Sequence, residues 1–222
     1  MKNNRKKLKM KIILVFTLFI AFGLNAQDKL LLLNGRVDRG KIVEDKESSF
    51  DFKIYKNGGK EKVIPYDKYR IFSVTNIEGK ESILYKRDTT IGHFRTENQM
   101  RMYIYGQRDA HNNYGSNHHF LGGFVLGFTA AIFDTYEFEK PGGFFKRTPS
   151  IFPVLVPLAI PLGVSFLPSK IMKDDVSDIG YLNSEEYVEG FNKVKKFKRI
   201  KNSFLGSIAG VATGLISYYA LR

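Results

Sequence analysis

Gly206, Gly210 and Gly214 stand four residues apart inside the uncharged run from Ser203 to Leu221, and no other stretch limits the possible folds so strongly. Side chains at i and i+4 share a helix face, so a helix here carries one smooth stripe on which a second backbone can lie close. At 1.5 Å per residue the run is long enough for a bilayer core of about 30 Å. Phe204 at one end and Tyr218, Tyr219 and Arg222 at the other suit the interfaces, where aromatic and basic side chains collect. A terminal membrane helix over 203–221, assembling through a glycine zipper, is the expectation.

Phe120 to Phe133 is a second apolar stretch, short for a crossing, with Gly123, Gly127 and Ala131 at the same four-residue interval. It offers a partner for the first stripe. Ile151 to Pro168 is long enough to cross but holds Pro153, Pro157, Pro161 and Pro168. Each proline inside a helix removes a hydrogen bond and crowds the preceding turn, so a kinked or re-entrant segment is expected. Between the two stretches, Asp134 to Pro149 is polar, with a turn at Pro141-Gly142-Gly143.

The N-terminus is read as a targeting segment. Lys2, Arg5, Lys6, Lys7, Lys9 and Lys11 precede the apolar stretch Ile12 to Leu24, and Ala26 is a small residue at the expected cut, the order of a secretory signal peptide over 1–26. An uncleaved anchor is the alternative, and either way Gln27 onward is exported. The formal charge of +13 then falls to +7 for residues 27–222. The absence of cysteine excludes disulfides, thiolate metal sites, a cysteine nucleophile and a lipidated cysteine.

Residues 27–95 read as a small β domain. Leu30 to Leu33 closes on Asn34-Gly35, a dipeptide suited to a two-residue hairpin. Phe50, Phe52 and Ile54 alternate with Asp51, Lys53 and Tyr55, the period of a half-buried strand turned by Asn57-Gly58-Gly59. Further short strands near Val63, Ile71 and Ile83 give the spacing of a small all-β barrel or roll. Its lysines are interleaved with Asp38, Glu44, Asp45, Glu47 and Asp51, which leaves no continuous basic track for nucleic acid. Docking of a protein strand on a sheet edge is the better binding reading.

Thr96 and Gln99 have the spacing of a capping box and open a connecting helix from about Glu97 to Asn112, within 96–118. Further on, residues 184–202 form a basic amphipathic helix. Glu185 and Glu186 sit in its first turn, Tyr187, Phe191, Val194 and Phe197 make an apolar stripe, and Lys193, Lys195, Lys196, Lys198, Arg199 and Lys201 are placed to meet anionic lipid headgroups. A pure topology signal is the plainer explanation of the same charges. By the positive-inside rule they belong in the cytoplasm, which favours two crossings, with the earlier apolar stretches together making one or only one of them spanning.

Gly106, Gln107, Arg108, Asp109, Ala110 and Tyr114, together with the opening LNGRVDRGKIVE and the later Glu186-Tyr187-Val188-Glu189-Gly190-Phe191, resemble a group of Bacteroidota envelope proteins without assigned activity. In these, a G-x-x-D-A-x-x-x-Y helix precedes Gly/Pro-rich apolar segments, an E-Y-x-x-G-Y-like basic helix and a final apolar segment. The present chain departs from the pattern at Phe191, where tyrosine is frequent, and in the loop from Asp134 to Pro149. The resemblance implies the architecture, an envelope location and a motif of Gly106, Asp109, Ala110, Tyr114, Tyr187 and Gly190. It implies no catalytic residue.

The whole reads as an α+β chain whose membrane region occupies 119–222. The expected function is that of an inner-membrane-anchored structural or interaction protein of the bacterial cell envelope, presenting its β domain to the periplasm. Its partners would be the lipid bilayer and an envelope protein or a second copy, with no cofactor and no nucleic acid. A metal-dependent hydrolase is the competing reading, since Asp109, His111, His118 and His119 could together bind zinc or nickel. Their spacing is not that of a metal-binding helix, and a solvated patch at the membrane interface explains the rings as well. No nucleophile elbow, zincin helix or phosphate-binding loop occurs. A subunit of a membrane transport complex is a third reading, suggested by the prolines, although no charge interrupts the apolar runs.

Overall fold

The computed structural model describes residues 27–55, 60–137, 148–168 and 170–221. The expected signal segment, the turns at Asn57-Gly58-Gly59 and Pro141-Gly142-Gly143, and the Arg222 anchor lie outside the described residues. The chain divides into two units, Met1–Arg101 and Met102–Arg222.

The first unit is one antiparallel sheet of six strands: β1 (Asp28–Leu32), β2 (Val37–Asp45), β3 (Ser49–Tyr55), β4 (Glu61–Asp67), β5 (Ile71–Thr75) and β6 (Glu81–Ile83), in the order β4-β3-β2-β1-β5-β6. The expected barrel or roll is therefore an open sheet. Closure would require β4 to pair with β6, but Pro65 removes a donor from β4 and β6 is only three residues long. After β6 the N–H groups of Leu84 and Tyr85 both donate to the Phe72 carbonyl, which ends the ladder. The first hairpin also differs from expectation. Leu32 accepts from Gly35 N and donates to the Arg36 carbonyl, so residues 33–35 form a three-residue loop, with Gly35 in the left-handed region at φ 79°.

The alternation in β3 places Phe50 and Phe52 in a core with Leu30, Leu32 and Ile71, while Asp51 and Lys53 face outward in pairs with Lys46 and Glu61. The short β5 is buried on both faces. Phe72 packs on Tyr85, and Arg101 sits 5.0 Å above the Phe72 ring while its Nη1 donates to Glu81.

A polar bridge crosses the sheet at Asp38, which accepts from Arg36 Nε at 2.7 Å and from the Tyr66 hydroxyl at 2.7 Å. Burial, and then the bond to Asp38, pushes the Tyr66 phenol up to about 12. The folded state holds the neutral phenol. Its contribution is complete below the ordinary tyrosine value of about 10 and is lost as pH rises through about 12. Tyr66→Phe is expected to cost about 1 kcal/mol at neutral pH and to remove part of the alkaline loss of stability, read by denaturant unfolding at a series of pH values.

The second unit is helical. It takes in the rest of α1 (Glu97–Asn112), followed by α2 (Asn117–Thr135), α3 (Phe152–Phe166) and α4 (Glu185–Leu221). The capping box opens α1, with Thr96 N donating to Gln99 Oε1 and Gln99 N to Thr96 Oγ1. The stretch expected to span Phe120–Phe133 becomes a 19-residue helix, because Asn117, His118 and His119 continue it at one end and Asp134 and Thr135 at the other. The expected helices over 184–202 and 203–221 are one 37-residue helix. Nothing between Asn202 and Ser203 breaks it, since a change from basic to apolar side chains leaves the backbone ladder intact. α4 is about 55 Å long and is the spine against which the other helices lie.

Candidate functional site

α4 meets α1 in its first half and α2 in its second, both times through glycine. A methyl group on Gly106 would collide with the Tyr187 carbonyl oxygen, and one on Gly190 with that of Tyr103. The contact is thus reciprocal, and with Lys198 reaching the carbonyls of Ala110 and Tyr114 and Asn202 reaching Ser116, the two helices run parallel. Along α2 and α4, Gly206 lies against the backbone of Phe120, Gly210 against that of Phe124 and Gly214 against the Ala131 methyl and the Phe128 carbonyl, while Gly123 and Gly127 lie against the backbone of Ser203 and Ser207. Rising numbers meet rising numbers, so these two helices run parallel. The two small-residue faces noted in the sequence are in direct backbone contact.

α3 runs antiparallel to α4. Its C-terminal carbonyls of Val164 and Leu167 accept from Arg199, and Pro157 and Pro161 share a groove with Ile200 and Phe204. Pro153, Pro157 and Pro161 form the buried face of this helix. Their spacing confines the damage, because the carbonyl that Pro157 leaves without a helical donor belongs to Pro153, and the one that Pro161 leaves belongs to Pro157. α3 is therefore a complete helix rather than a re-entrant turn. At the far end, Asp134 accepts from Ser150 N and Ser150 Oγ and ties the end of α2 to the start of α3. These directions put the start of α2 and the basic stretch 193–201 at the same end of the bundle. α2 and α3 thus run in opposite directions beside the second half of α4.

The bundle has the reverse of a soluble core. Glycine, serine, threonine and proline are inside, whereas Leu121 is 62% exposed, Leu162 62%, Ile216 67% and Phe166 84%. The buried hydroxyls are satisfied within their own helices, Thr135 on Ala131 O, Ser203 on Ile200 O and Ser207 on Phe204 O. Among the described helices, α4 alone is long and apolar enough to cross a membrane by length and composition, and α3 is apolar but shorter.

The six motif residues gather at the α1–α4 crossing. Ala110, Tyr114 and Tyr187 form a buried cluster with Phe191 and Val194, beside the Gly106–Gly190 contact. Asp109 is 3% exposed, and its Oδ2 accepts from the Tyr187 hydroxyl (2.7 Å), Ser177 Oγ (2.5 Å) and Ser177 N (3.0 Å). A carboxylate in the last turn of a helix opposes the helix dipole, and these three donors offset that cost. Lys198 adds a positive charge at the same place, its Nζ donating to the carbonyls of Ala110, His111 and Tyr114.

The basic stretch is accordingly divided in two. Lys198 caps α1, Arg199 caps α3 and Lys195 donates to Lys170 O, whereas Lys193, Lys196 and Lys201 are exposed. Ser177 and the capping roles carried no signal in the sequence, because their partners are 32 to 88 residues away. The face made by the prolines was visible in their four-residue spacing.

The candidate metal set does not converge. Asp109 is occupied by hydroxyls, the His118 and His119 rings lie against each other at 4.1 Å with a 45° tilt, and no three His, Asp or Glu side chains among the described residues could share an ion. The β unit carries an open cleft of about 520 Å³ between Arg36, Tyr66, Tyr69, Arg70 and His93. No family model, curated protein or solved structure matches the chain. What the fold defines is an α+β chain with a six-stranded sheet and a helical bundle that turns its large apolar side chains outward.

Adjacent glycines on α2 provide a matched test. A Cβ at Gly123 would strike the Ser203 carbonyl, while one at Gly122 meets nothing within 4 Å. Gly123→Ala is expected to cost about 1–3 kcal/mol, and Gly122→Ala to be neutral or to stabilise by up to about 1 kcal/mol, in thermal unfolding of the purified protein. At the crossing, Tyr187→Phe is expected to cost about 1.5–3 kcal/mol, since it removes a hydrogen bond to a buried carboxylate; the same assay reads it.

Proposed function

We propose that this chain is a membrane-anchored structural or interaction protein of the bacterial envelope, held in the inner membrane by its helical bundle and presenting its β domain to the periplasm. The observation that carries this reading is the inverted burial of α2, α3 and α4. In water, a bundle with glycine inside and leucine outside loses the hydrophobic driving force, whereas in lipid the same arrangement is the favourable one, because close backbone packing is what distinguishes helix from solvent. Exposed apolar surface along three helices exceeds the isolated patches of an ordinary soluble surface.

In this reading residues 203–221 cross, α2 runs alongside for about 28 Å, and α3 returns for about 22 Å. No crossing separates the β domain from the start of α2 in this reading, so the chain enters the bundle from the β domain's side of the bilayer. That side is periplasmic if residues 1–26 direct export. The charges of Lys198 and Arg199 then serve the folded bundle by holding helix ends and that of Lys195 by holding the Lys170 carbonyl, which removes half of the argument that they mark a cytoplasmic loop. The β domain, with its open edges and cleft, is the part available to an envelope partner.

The test is extraction of native membranes with alkaline carbonate, followed by protease treatment of spheroplasts. The protein is expected to remain in the pellet and its β domain to be digested from outside. Release into the supernatant overturns the anchor; retention with a protected β domain overturns the orientation.

A further inference from the structure

The capping role of Arg199 leaves part of the basic end of the bundle unexplained. Between the end of α3 and the middle of α4 is a pocket of about 230 Å³ lined by Ser165, Leu167, Asn192, Lys195, Lys196 and Arg199. It has three cations and no acid on its walls. The carboxylate of Asp175, which acts on Lys195, accepts from Met172 N and does not line the pocket. Arg199 is 6% exposed; its two Nη atoms are spent on α3 carbonyls, and its Nε has no hydrogen-bond partner among the described residues. A buried guanidinium N–H without an acceptor is costly, and an anionic oxygen is its natural partner. Lys196 is exposed, with no partner among the described residues.

The pocket does not end at its polar wall. Ser165 and Lys196 also border an apolar groove of about 280 Å³ that runs between α3 and α4, past Pro157, Pro161, Ile200 and Phe204. The proline face of α3 supplies no long side chain to fill it. A cationic chamber beside an apolar trough on helices proposed to face lipid, the two sharing Ser165 and Lys196 as a common wall, has the form of an amphiphile: anionic oxygens at one end, acyl chain at the other.

We infer that the α3–α4 groove binds one anionic phospholipid, with its phosphate in the Lys195–Lys196–Arg199 pocket and an acyl chain along the prolines. The inference rests on the proposed membrane embedding and deepens it. The apolar groove selects a lipid over a free phosphate ion, which would occupy the chamber alone.

The test is native mass spectrometry of the full chain, purified in mild detergent and equilibrated with phosphatidylglycerol or with phosphatidylcholine. One phosphatidylglycerol is expected to be retained in preference to phosphatidylcholine. Lys196→Gln is expected to lower that retention about fivefold, the factor equivalent to about 1 kcal/mol of headgroup attraction per basic residue. Lys196 is exposed and caps nothing, so the variant keeps the fold, as thermal unfolding in the same detergent will show. Leu162→Trp, at the rim of the groove, is expected to lower retention by obstructing the chain. Equal retention of the two lipids, retention unchanged in both variants, or full displacement by millimolar inorganic phosphate overturns the inference. Carbonate extraction separates these outcomes from failure of the anchor itself, since a protein that stays in the membrane without lipid preference refutes only the groove.

Discussion

Backbone lying directly on backbone, where side chains are missing, is the contact on which the helical unit depends. Gly106 and Gly190 bring α1 onto α4, and Gly206, Gly210 and Gly214 bring α2 onto the same helix further along. At such separations the attraction is dispersion between main-chain atoms, small for each pair and large in sum. It does not require water to be excluded, so it operates in lipid, where leucine against leucine gains nothing over leucine against an acyl chain. The outward placement of the bulky residues follows directly, because the inner faces have no room for them.

Such close packing brings helix ends together, and helix ends carry unpaired carbonyls. Lys198 and Arg199 are neighbours in sequence on α4 and serve different helices, α1 and α3 respectively. A charged donor at the C-terminal end of a helix answers both the unpaired acceptors and the dipole. One turn of α4 therefore fixes where two other helices stop. Asp109 is the converse case, a negative charge at the wrong end of its helix that is tolerable through Ser177, Tyr187 and the adjacent Lys198.

Local features were legible in the sequence and long-range ones were not. The Phe50-Phe52-Ile54 alternation, the Thr96–Gln99 box and the spacing of the small residues all express periods of a single element, and the structure displays each of them. The openness of the sheet was hidden, because whether β4 meets β6 depends on the length of β6 and on the double acceptor at Phe72, neither of which is a pattern. The continuity of α4 was hidden by composition, which changes abruptly at Ser203 while the helix does not. The six basic residues looked like one lipid-facing set because a sequence shows charge without burial; Lys195 and Arg199 are almost fully enclosed. Histidines 111, 118 and 119 looked clustered for the opposite reason, nearness along the chain without a shared focus.

The unbroken course of α4 also makes it a lever. A rod of about 55 Å whose second half lies in lipid, as proposed, would transmit any tilt of that half to the other, and a tilt of about 10° would displace the far end by about 5 Å. Because α1 is clamped to that far end by two glycines and a carboxylate, the proposed embedding would turn thinning or thickening of the bilayer into a swing of the α1 crossing.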